Sequence, residues 1–104
     1  MSEFRINQMK EVQNEALQLF IKKNTDYGDA FATYGTVGVI VRMGDKIQRL
    51  ISVTNKGVSL VDSESLRDTL IDLYNYSAMG IILIDEKREK NREYRKSSHI
   101  DMEI

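Results

Sequence analysis

The sequence predicts an all-α domain, a bundle of about three long helices joined through an ordered loop after the first and completed by oligomerisation. Three observations carry this. Proline is absent and only six glycines occur, so little interrupts a helix. Three long stretches repeat apolar residues every three or four positions instead of alternating. At 104 residues with 41% hydrophobic content, the chain makes one domain whose small size favours association.

The first helix is expected from about Glu3 to Asn24, with Phe4, Ile6, Met9, Val12, Ala16, Leu19 and Phe20 on one stripe. Thr25 to Gly35 follows, rich in Gly, Asp and aromatic residues, and Asp26-Tyr27-Gly28 is turn chemistry. It reads as an ordered loop. A second helix is expected from about Thr36 to Thr54, carrying Val37, Ile40, Val41, Ile47, Leu50 and Ile51. Gly38 and Gly44 each cost it about 1 kcal/mol against Ala, and in exchange allow a backbone or ligand to come close. Asn55-Lys56-Gly57 ends it, Val58 to Val61 makes a short extended linker, and Asp62 is a favourable N-cap for a third helix starting near Ser63. Its apolar residues between Leu66 and Ile84 come to surround the helix, which predicts cover from a second chain. Beyond Asp85 the residues are almost wholly polar, predicting an exposed helical extension over 86–104 that frays into a mobile tail.

Fifteen basic against sixteen acidic residues give a formal charge of −1, which argues against duplex nucleic acid as a partner. Cysteine is absent, so there is no thiolate metal site or disulfide. The apolar run Ala78 to Ile84 falls far short of the ~20 residues that span a bilayer, and MSEFRINQMK lacks a secretory core. A cytoplasmic protein without membrane contact is expected.

Chemistry concentrates between Lys23 and Tyr76. Asp68, Asp72 and Asn75 share a face of the third helix, and like charges there repel unless a positive group intervenes. A Mg²⁺ ion held by Asp68 and Asp72 is one candidate. Arg42 and Arg49 of the second helix, pairing with the same carboxylates, are the other. Glu11 and Glu15 read as a solvated face unless it turns toward Asp68 and Asp72. Lys22, Lys23 and Asn24 approach the end of the first helix, where cations are favourable anyway. Tyr27, Phe31 and Tyr34 are either core plugs or a wall on which a base stacks. His99 has no partner in sequence, and no Gly-rich phosphate loop or Ser-His-Asp order is present.

Three ordered phrases, Lys23-Asn24-x-Asp26-Tyr27-Gly28-Asp29, Val37-Gly38-x-x-Val41-Arg42-x-x-Asp45-Lys46-x-x-Arg49-Leu50 and Asp68-Thr69-Leu70-x-Asp72-Leu73-x-Asn75-Tyr76, resemble the nucleotide modification associated domain family of phages and bacteria. More distantly the layout is similar to the all-α MazG-like nucleoside triphosphate pyrophosphatases, oligomeric bundles that hold Mg²⁺ with ExxE and ExxD carboxylates. Glu11 and Glu15 stand one residue further apart than ExxE, and Asp72-x-x-Asn75 occupies the place of ExxD. The resemblance implies Asp45, Asp68 and Asp72 as metal ligands, with Asp68 and Asp72 catalytic. It implies Lys23, Arg42, Lys46 and Arg49 for phosphate, and Asn24, Asp26, Tyr27 and Asn75 for base or sugar. Two functions follow: a Mg²⁺-dependent hydrolase releasing a monophosphate and pyrophosphate, placed first, and a protein that captures a nucleotide uncleaved, as a phage would use to remove a defence signal.

Overall fold

The computed structural model describes the backbone of residues 2–27, 30–55 and 64–103, and the side chains of residues 2–24, 31–55 and 64–97. Three helices follow in order: α1 (Ser2–Tyr27), α2 (Ala30–Asn55) and α3 (Glu64–Glu103). No strand occurs among the described residues, so the all-α expectation holds. None of these helices is long and apolar enough to cross a membrane.

The main departure is at the expected loop. Helix α1 continues to Tyr27, and α2 begins at Ala30, five residues before Gly35. Most of Thr25 to Gly35 is therefore helical. What breaks it is Gly35 itself, with φ 68° and ψ −173°, a region open in practice to glycine alone. The turn residues Gly28 and Asp29, the linker Val58 to Val61 and the N-cap Asp62 lie outside the described residues. Helix α3 runs 40 residues, about 60 Å at 1.5 Å per residue, and accounts for most of the molecule's 67 Å length. Its backbone stays helical to Glu103.

Helix α3 is the hub against which the other two pack. It runs antiparallel to α2, as two links along their length require: Val39 lies beside Gly80, and Lys46 meets Asp72. Spacing explains the seam, since Val39, Met43, Lys46, Leu50 and Val53 recur at three and four residues and are the least exposed positions of that part of α2. Helix α1 crosses another face of α3. There Ala16 is completely buried, and the Asn75 amide donates to the Ala16 carbonyl at 3.0 Å. A buried amide without that partner would be costly. Thr69, also buried, donates its hydroxyl to the Ser65 carbonyl one turn earlier at 2.7 Å.

The core is thin. Ala16, Val39 and Ile71 are the buried apolar residues among those described, and the radius of gyration is 18.8 Å where a compact domain of this length has about 13 Å. Ile81, Ile82 and Ile84, which surround α3 in the sequence pattern, are all exposed in the single chain.

Candidate functional site

The C-terminal part of α1 and the first half of α2 do not close on each other, and between them opens a cleft of about 690 Å³ floored by α3. Helix α1 contributes Phe20, Lys23 and Asn24 at helical spacing, α3 contributes Tyr76 and Met79, and α2 contributes Arg42 and Asp45. The rings of Phe20 and Phe31 meet edge to face, with centroids 6.0 Å apart and planes at 66°, a favoured aromatic geometry that ties the end of α1 to the start of α2. Phe31 and Tyr34 line the cleft, so the two described aromatic residues of the predicted loop are wall residues. The break at Gly35 places them there.

A second, smaller recess adjoins the cleft through Phe20, Lys23, Tyr76 and Met79 and adds Asp72 and Asn75. At this junction Asp72 holds two lysines, one oxygen 3.2 Å from Lys23 Nζ and the other 3.2 Å from Lys46 Nζ. The three residues come from three helices. Of the two candidates for this acidic face, the interhelical ion pair forms at Asp72, with lysines in the place of Arg42 and Arg49, while Arg42 lines the open cleft. Arg49 and Asp68 are exposed and line neither recess.

Among the described residues no three carboxylate or imidazole side chains gather into a set that could hold a metal ion. The trio Asp45, Asp68 and Asp72 expected to bind Mg²⁺ is thus not assembled. Physically, both oxygens of Asp72 already face ammonium groups, which oppose a cation there. Of the residues expected to contact phosphate, base or sugar, Lys23, Asn24 and Arg42 reach the cleft, Lys46 stands behind Asp72, and Asn75 spends its amide on Ala16. The side chains of Asp26 and Tyr27 lie outside those described. Phe20 and Met79 were legible in the sequence only as apolar positions of the first and third helices, not as site residues; Phe20 at i−3 from Lys23 was the available signal.

Glu15 lies on an exposed face, as expected, and from there reaches α3. Both of its oxygens accept from Arg67, one at 3.0 Å, in a forked pair. That hydrogen bonding, with the guanidinium charge, holds the Glu15 carboxyl below its ordinary value of 4.5 and pushes Arg67 up. A lowered carboxylate pKa adds stability above the ordinary value and loses it as pH falls through the lowered one. Glu15→Gln should therefore melt earlier than the parent chain at pH 7, and the gap should close below about pH 4.5. The pair is exposed, so the effect is modest; a gap independent of pH in thermal melts would refute it.

Comparison with known proteins places the matched region over this site. The model of the nucleotide modification associated domain 1 family matches residues 23–84, which run from the lysine at the mouth of the cleft through Asp72 to the end of the apolar part of α3. No curated protein and no solved structure matches the chain. With most of its length matched, including both α2 and the half of α3 that packs on it, the chain belongs to the nucleotide modification associated domain 1 family.

Proposed function

We propose that the chain captures a phosphorylated nucleotide in the α1/α2 cleft without cleaving it. The observation that carries this reading is the junction of Lys23, Asp72 and Lys46 beside an aromatic-walled cleft that also contains Arg42. Asp72 holds two ammonium groups in place across three helices, so part of the ordering cost of an anion site is met before the ligand arrives. Lys23 keeps half its side chain exposed despite its pairing, and Arg42 is exposed; both can turn to phosphate. Phe20, Phe31, Tyr34 and Tyr76 line the cleft and supply the aromatic wall on which a base would stack, a contact worth roughly 1–3 kcal/mol per base in single-stranded nucleic-acid complexes. The family, associated with nucleotide modification, supports a nucleotide as the guest.

The competing reading is the Mg²⁺-dependent pyrophosphohydrolase, and one experiment separates the two. A panel of nucleoside mono-, di- and triphosphates is titrated calorimetrically with Mg²⁺ and again with EDTA, and the recovered nucleotide is analysed by chromatography. Capture predicts binding in EDTA and an intact nucleotide. Lys23→Ala and Arg42→Ala should each weaken binding about ten-fold or more, as loss of a charged hydrogen bond does. Pyrophosphate released with Mg²⁺ would replace capture by hydrolysis, and no binding by the parent chain to any member would overturn both.

A further inference from the structure

The face of the α2/α3 hairpin turned away from the cleft is apolar and uncovered. On α2, Val37, Ile40, Gly44, Ile47 and Ile51 recur at alternating steps of three and four residues, and all are exposed. At 100° per residue this second stripe lies about a third of a turn from the one facing α3. Helix α3 carries a shorter version of the arrangement: Leu70 and Tyr74, then Ile81 and Ile84, are exposed on one stripe with Ser77 between the two pairs, roughly a quarter turn from the residues that meet α2. Because the two helices are antiparallel, both offsets turn to the same side of the hairpin. Helix α1 and the cleft occupy the other side, where Asp72 and Asn75 point.

We propose that a second copy of this chain covers this face, two hairpins meeting about a two-fold axis as a four-helix bundle. Alternating steps of three and four residues are what side chains of helices packed at about 20° need in order to interdigitate, and one face can serve both copies in an isologous contact. Area supports the same occupant. A folded monomer of 12.0 kDa exposes about 6,000 Å², whereas this chain exposes 8655 Å². The polar extension of α3 accounts for part of the excess. The whole excess is on the scale of the roughly 1,000–2,500 Å² per chain that an obligate homodimer buries. Gly44 sits at the centre of the α2 stripe with nothing within 4 Å of where a Cβ would be, leaving room for a facing helix.

The proposal is independent of the nucleotide reading. Sedimentation velocity of the full chain at micromolar concentration should give an oligomer, and Ile47→Glu should shift it to the single-chain mass of 12.0 kDa with helicity by circular dichroism retained. Ile47→Ser, which adds no charge at this exposed position, carries the same test should the glutamate variant fail to fold. It should weaken association by roughly a hundred-fold, since each two-fold pair loses two buried isoleucines. Leu17→Glu, at an exposed position of α1, should leave the oligomer intact. A monomeric parent chain, or an oligomer that Leu17→Glu dissociates and neither Ile47 variant does, would overturn the proposal.

Discussion

Replacing Ala16 by Leu is expected to loosen α1 from α3 and lower the melting temperature by roughly 4–8 °C per kcal/mol lost, the loss being about 1–3 kcal/mol for an overpacked contact. Ala16 is fully buried where the two helices cross, and its carbonyl accepts from buried Asn75. A leucine there displaces the Asn75 amide and leaves its N–H groups without a partner, which adds a desolvation cost to the steric one. Two further ties between α1 and α3, the exposed pair of Glu15 with Arg67 and the half-exposed link of Lys23 to Asp72, are weak holds. The displacement should also reach the cleft, because Phe20, Lys23 and Asn24 all arrive on α1. Faster tryptic cleavage within α1 than within α2 would mark the loosened helix, and an unchanged melt would show that α1 is held elsewhere.

Gly38→Ala should deform the cleft more than its single methyl group implies. A Cβ on Gly38 would lie 2.4 Å from Tyr34 Cβ, and since that atom is next to the backbone, the main chain around the Gly35 break must move. The cost is again about 1–3 kcal/mol, partly offset by up to about 1 kcal/mol of better helix propensity. Tyr34 and Phe31 would shift together. Tyrosine fluorescence and nucleotide affinity should then change with little loss of total helicity. Gly80→Ala is the contrasting case. Its Cβ would stand 3.7 Å from Val39 Cγ1, an ordinary contact, so the melting temperature should hold or rise.

Helix number and type were legible because apolar spacing at three and four residues persists over long stretches. The segment Thr25 to Gly35 misled, because Gly, Asp and aromatic residues signal a turn by composition while one backbone position, Gly35, does the breaking. The glycines of α2 divide in a way composition does not reveal: Gly38 is needed beneath Tyr34, whereas Gly44 faces open space.

The candidate site divides along the same line. Periodicity alone puts Asp68, Asp72 and Asn75 on one face of a helix and Lys23 near the end of another, since 100° per residue settles which side chains share a stripe. It carries no information on how far each helix is turned about its own axis against its neighbour. That rotation, decided by packing, sends Asp72 to Lys23 and Lys46, Asn75 to the Ala16 carbonyl and Glu15 to Arg67, and leaves Arg42 at an open cleft and Asp68 outside it.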